Sequence, residues 1–188
     1  ERTTGVQIRY RERVENIART PQGFFVRTTK GELRAQHVLL AIGRRGTPRK
    51  LGVEGEGLPK VVYRLIDAEQ YRGKKVLVVG GGDSALEAAT SIAEQPETEV
   101  TLSYRGDAFS RAKAKNRERL QNATASGRLR QLLKSNVLRI EPDAVVMDCG
   151  GKQERLPNDA VIVSAGGVLP TAFLETIGIN VETKHGTA

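Results

Sequence analysis

A parallel β-sheet with helices on both faces, beside a β-hairpin or meander and flanked by part of a second domain, is the α/β architecture that this sequence predicts. Three observations carry it. VLVV, residues 76–79, is a short uninterrupted apolar run of the kind that forms a central strand buried on both faces. It enters a turn of three glycines, Gly80, Gly81 and Gly82. Beyond them Ala85, Ala88, Ala89, Ile92 and Ala93 recur at helical spacing, a single apolar stripe suited to lying on a sheet.

The other elements follow in order over residues 60–140. Pro96 stops the first helix, and residues 100–104 form the next strand. Residues 112–126 read as a basic helix with Gly127 just past its end, and 129–133 as a third strand.

A repeat explains why so much chain precedes the glycine turn. GFFVRTTKGELRAQHVLLAIG (23–43) and DAVVMDCGGKQERLPNDAVIVSAG (143–166) share one grammar. In each, an apolar run leads to a glycine turn and a polar stretch. A buried-type strand then ends in Ala-x-Gly or Ala-Gly. The match continues, since Gly43 is followed by Pro48 and Leu51, and Gly166 by Pro170 and Leu174. Two copies of one device predict a duplicated architecture. The expected division is therefore the tail of one nucleotide-binding domain in 1–59, a second such domain in 60–166, and a return segment in 167–188. On this expectation the chain is an internal piece of a larger two-nucleotide protein.

Composition narrows the function classes. The chain has 188 residues, 38% of them hydrophobic, and 20 glycines, which suits a globular, loop-rich protein. No apolar run approaches the roughly 20 residues that span a bilayer, and no signal pattern opens the chain, so a soluble cytoplasmic protein without a membrane partner is expected. Cys149 is alone, which rules out an internal disulfide or a C-x-x-C pair within this chain. A reactive thiolate is not expected beside Gly150 and Gly151. His37 and His185 are too few and too far apart for a metal site. The net charge is +8, and residues 105–139 alone hold ten lysines and arginines against Asp107 and Glu118. So local an excess points to an anionic ligand.

The glycine turn reads Gly80-Gly81-Gly82-Asp83-Ser84-Ala85, a G-x-G-x-x-A pattern between a strand and a helix. Gly80 permits the tight turn, Gly82 lets backbone approach a diphosphate, and Ala85 allows close helix packing. The helix that starts near Asp83 and Ser84 would direct free N–H groups and a partial positive charge at the anion. The end of the second strand chooses the dinucleotide. An NAD site would carry a carboxylate there, whereas this chain has Tyr104 and Arg105, then Arg111 and Lys113, cations suited to the 2′-phosphate of NADP. Two such contacts, each on the order of 1.5 to 3 kcal/mol before screening, predict a marked preference for NADP(H) over NAD(H). Glu87 is either an exposed helix carboxylate or a group near the nicotinamide.

The order of strand, GGGDSALEAA, strand, YRGDAFSRAK, hairpin and Ala-Gly turn resembles the NADPH domain of thioredoxin-reductase-like flavoproteins over nearly the whole chain. The resemblance implies a Rossmann-like NADP(H) domain inserted into an FAD-type domain, of which the flanks are parts. It also implies 2′-phosphate contacts at Arg105 and Arg111, and places Ala165 and Gly166 near the nicotinamide end. Gly106 stands where a paired arginine is usual, with Lys113 as a candidate replacement. The C-x-x-C pair of thioredoxin reductases is missing from VVYRLIDAEQYRGKK. The likeness therefore runs toward bacillithiol-disulfide reductases and thioredoxin-reductase-like ferredoxin-NADP reductases. The FAD glycine motif and the late Gly-Asp element are also missing. This chain is thus expected to bind nucleotide without turning over, while the parent protein passes hydride from NADPH to FAD. The alternatives are a non-catalytic nucleotide-sensing subunit and the same fold using NADH. The missing FAD domain and a second copy are the protein partners considered. Nucleic acid is not expected, because the basic helix lacks interleaved aromatics.

Overall fold

The computed structural model describes residues 5–43 and 46–182. His185 lies outside them. Two compact units divide the chain, Thr47–Val168 and a second made of Glu1–Gly46 with Leu169–Ala188.

In the second of these units β1 (Val14–Thr20), β2 (Gly23–Thr28) and β3 (Gly31–Ala35) form an antiparallel sheet in that order. Ile17 and Val26, paired across the ladder, are its buried apolar residues. Gly23 is required here: its φ is +131 and a Cβ would overlap the Ala35 carbonyl. The segment 38–42, expected from the repeat to be a buried strand, is not one. It follows β3 without pairing, and Leu39 is 91% exposed. A strand exists through its ladder partners, and among the described residues this segment has none.

The larger unit begins with β4 (Thr47–Pro48) and β5 (Val61–Val62), then β6 (Lys75–Val79), α1 (Asp83–Ala93), β7 (Glu99–Tyr104), α2 (Ala114–Ala125) and β8 (Leu129–Leu133). An antiparallel meander follows, β9 (Ser135–Ile140), β10 (Ala144–Cys149) and β11 (Lys152–Pro157). The chain then re-enters the main sheet as β12 (Ala160–Val163) and leaves through β13 (Gly167–Val168). α3 (Thr171–Thr176) lies in the smaller unit.

The main sheet is parallel with order β5-β12-β6-β7-β8. Its central strands β6 and β12 are apolar runs because both faces are covered there. On one face α1 buries Ala85, Leu86, Ala88, Ala89, Ile92 and Ala93 against Val76, Val78, Val100 and Leu102. On the other, Leu77, Val161 and Val163 pack on Val137, Val145 and Met147 of the meander. Helix α2 starts two residues later than the sequence suggests. The Ala112 N–H is held by the Phe109 carbonyl and the Lys113 N–H by Asp83, so both precede the helical ladder. The two hairpins of the repeat do form, each as the last pair of a three-stranded meander. After Gly166 the chain pairs antiparallel with the residues around Pro48, the Arg49 N–H donating to the Gly166 carbonyl at 3.0 Å.

Candidate functional site

Strand order places the site. From β6 the chain crosses to β7 on one side, while β12 lies on the other, so the order reverses between β6 and β12. The carboxyl ends flanking such a reversal leave a crevice open above the sheet. Gly80, Gly81 and Gly82 lie at that point, and each is glycine for a different reason. Gly80 has φ +149, and a Cβ there would overlap the carbonyl of Ser164 at the end of β12. At Gly81 a Cβ would run into the ring of Tyr104. Gly82 has open space in the same direction, so bare backbone faces outward. The last is the cradle that a diphosphate needs.

Helix α1 begins at the cradle. The Gly82 carbonyl accepts from the Ala85 and Leu86 N–H groups, and no side chain caps the helix. That leaves the N–H groups of Asp83 and Ser84 without an acceptor within the helix, at its partially positive end. Ser84 is exposed on this turn and Ala85 is fully buried beneath it.

The end of β7 closes one side. The Gly80 N–H donates to the Ser103 carbonyl at 2.9 Å, which locks the glycine turn to the residue before Tyr104. The Tyr104 ring stacks on Phe109 with centroids 5.3 Å apart. Gly106 sits under the same ring, and a Cβ there would come within 2.6 Å of it. A side chain at 106 would therefore have to displace the Tyr104 ring from this position. Arg105, Arg111 and Lys113 are exposed and form no ion pair among the described residues.

Asp83 organises the third side. Its Oδ1 accepts from the Lys113 N–H at 2.8 Å and from the Asn116 amide at 2.7 Å. Those two bonds hold its carboxyl below the ordinary value of 3.8. The same Asn116 amide donates to Glu87 at 2.9 Å. Asn116 is buried, so one amide fastens the start of α2 to the start of α1. Glu87 is thus an exposed carboxylate engaged with α2. The Ser164 N–H donates to the Val79 carbonyl at 2.7 Å, which brings Ala165 and the left-handed Gly166 (φ +83) to the same edge.

The matching family model, described as pyridine nucleotide-disulphide oxidoreductase, spans residues 2–187. The chain belongs to that family. Among its relatives, a ferredoxin-NADP reductase of Ignicoccus hospitalis is 32% identical over 185 residues, covering 96% of this chain and 60% of the relative. The bacilliredoxin reductase Bdr of Bacillus subtilis is 29% identical over 87% of this chain and 51% of its own length. The chain thus spans about 50 to 60% of the curated relatives it matches. Of solved structures, the bacillithiol disulfide reductase Bdr of Staphylococcus aureus superposes with a TM-score of 0.82 at 27% identity, covering 95% of this chain and 55% of that one. The thioredoxin reductase of T. acidophilum shares the fold, with a TM-score of 0.75 at 22% identity, over 91% of this chain and 57% of that one. The thioredoxin-reductase-like resemblance read from the motifs holds at the level of family and fold.

The residues expected from the sequence to meet a cofactor, Gly80 to Ala85, Tyr104, Arg105, Arg111, Lys113, Ala165 and Gly166, lie toward one edge of the sheet. Sequence reasoning passed over Ser164 and Asn116. Asn116 carries a signal only in hindsight, a small amide between Lys115 and Arg117 on a helix that is otherwise charged. Away from this edge, Cys149 is half-buried with its thiol on Glu154, and burial followed by the Glu154 charge pushes its pKa up. It stays a protonated thiol near neutral pH. His37 is exposed, and among the described residues no cluster of histidine, cysteine and carboxylates could hold a metal. No helix among them is long and apolar enough to cross a membrane.

Proposed function

We propose that this chain is the NADP(H)-binding part of a flavin-dependent oxidoreductase. The observation that supports it most is the conjunction of the open Gly82 backbone, the uncapped start of α1 and three unpaired cations beside one strand end. The turn Gly80-Gly81-Gly82 and the free N–H groups of Asp83 and Ser84 would hold the diphosphate, with Ala85 packed beneath them. Arg105 is the main contact to the 2′-phosphate, with Arg111 and Lys113 beside it, and Tyr104 borders the adenosine. Ala165 and Gly166 border the nicotinamide end. NADPH, when bound, supplies hydride; the protein contributes position and charge.

The second nucleotide finds no comparable cradle here. Among the described residues 80–85 is the one glycine turn between a parallel strand and a helix, and it serves the NADP(H) assignment. FAD, the hydride acceptor in this proposal, would therefore be held by sequence that the longer relatives have beyond the matched region. The domain boundaries 1–59, 60–166 and 167–188 are proposed on the same basis, as is a cytoplasmic location. The electron acceptor downstream is proposed from the relatives' names alone, a ferredoxin or a low-molecular-weight disulfide.

Calorimetric titration tests the assignment directly. NADPH should bind this chain at least about tenfold tighter than NADH near 0.1 M salt, with the gap narrowing as salt rises. Equal affinities, or tighter NADH, would overturn it. NADPH mixed with free FAD and this chain should not be oxidised at a steady rate.

A further inference from the structure

Lys134 occupies the left-handed region with φ 49. Glycine or asparagine is the ordinary occupant of such backbone, because a Cβ is disfavoured there. Two hydrogen bonds keep it in place: its N–H donates to the Gly106 carbonyl at 2.9 Å, and its carbonyl accepts from the Gly150 N–H at 3.2 Å. A buried hydroxyl pair, Ser103 Oγ and Ser135 Oγ at 2.8 Å, fixes the adjoining strand ends to each other. In the parallel ladder Tyr104 lies beside Leu133, so the next residues outward at the carboxyl edge are Arg105 and Lys134.

Packing does not account for a lysine at this point. Lys134 is exposed and forms no ion pair among the described residues, whereas Arg130 on the same strand is bound by two hydrogen bonds to Glu154 and Arg139 on the next is bound to Glu141. Position 106, a glycine under the Tyr104 ring, supplies no second cation. Strained backbone that a functional side chain must tolerate is a recurrent feature of binding sites.

We propose that Lys134 is a specificity-determining contact to the 2′-phosphate of NADP(H), acting from the end of β8 opposite Arg105. This rests on the NADP(H) reading above. The phosphate is then held by a planar guanidinium from one strand and a flexible ammonium from the next.

The conformation of Lys134 makes a clean test. Lys134→Gly removes the charge while relieving the backbone, so the variant should melt no lower than the unaltered chain. Titrated with NADPH and with adenosine 2′,5′-bisphosphate, it should bind each about tenfold more weakly, with NADH and 5′-AMP unchanged within about twofold. Lys134→Arg should restore most of the lost affinity, and Lys134→Asn, also tolerant of left-handed backbone, should behave as the glycine variant does. Undiminished NADPH binding by Lys134→Gly, or equal losses for NADPH and NADH, overturns the role of Lys134. If the unaltered chain itself fails to prefer NADPH, the NADP(H) reading falls and Lys134 with it. If Arg105→Ala abolishes the preference while Lys134→Gly does not, the reading stands and only Lys134 is wrong.

Discussion

The two edges of the parallel sheet carry similar residue types and differ in what those residues are free to do. The amino edge has a cleft of about 410 Å3 bordered by Lys75, Glu99, Arg128, Arg130 and Asn158. Yet Lys75 pairs with Glu99, Arg130 with Glu154, and Arg128 donates to Ser126. The carboxyl edge instead holds uncommitted charge and free backbone N–H groups. An anion is recruited by unsatisfied donors and unpaired cations, not by volume. Strand polarity decides which edge receives them, because helices in a parallel sheet begin where strands end.

Breaking the cradle should have the largest effect. Gly80→Ala sets a Cβ against the Ser164 carbonyl on backbone of φ +149. The turn must open, at a cost of about 1 to 3 kcal/mol in stability. NADPH affinity should fall roughly 100-fold, about 2.7 kcal/mol, with NADH falling alike because both share the diphosphate. Chemical denaturation and titration of the same variant would check it. A variant that binds normally would remove the glycine turn from the site.

Arg105→Ala comes next and should separate the two nucleotides. NADPH binding should weaken about tenfold or more and NADH binding hardly at all, so the ratio collapses toward one. The residual NADPH affinity should depend less on salt than in the unaltered chain.

Much of this edge was legible because the signals are local. The strand, the glycine turn and the helix of 75–93 are contiguous, so an apolar run and a 3.6-residue stripe suffice to find them. Arg105 is legible for the same reason, lying at a fixed place after the second strand. Asn116 and Lys134 were not, since their roles depend on Asp83 and Gly106, 33 and 28 residues away, and on a backbone angle that no side-chain pattern announces. The repeat misled at 38–42 for a related reason. VIV in β12 and VLL at 38–40 are similarly apolar, but β12 lies between β5 and β6 while the earlier run has no ladder among the described residues. Sequence shows which segments could be strands; partners decide which are.

Asp83 sharpens the comparison through pH. Its carboxyl is held below the ordinary 3.8, chiefly by the Lys113 N–H and then by Asn116. A folded pKa below the unfolded one stabilises the protein fully above the unfolded value. That contribution is lost as pH falls through the folded value. Asp83→Asn should therefore lower the melting temperature at pH 7, and the deficit should shrink once pH drops below about 3.8. A deficit independent of pH would mean that the carboxylate charge contributes nothing to the join between α1 and α2.

The smallest effect belongs to the amino edge, where Lys75→Ala should change almost nothing. Its ion pair with Glu99 is long, 3.8 Å, and both side chains are solvent-exposed, 45% and 72%. Exposed pairs contribute about 0 to 1 kcal/mol. The Lys75 backbone N–H donates to the Asp159 carboxylate, and that bond survives the substitution. NADPH affinity should stay within about twofold and stability within about 1 kcal/mol of the unaltered chain. A marked loss of NADPH binding would place the nucleotide in the amino-edge cleft after all. Lys75 and Arg105 each present a side chain at an end of the parallel sheet, so the pair of variants measures what strand direction alone confers.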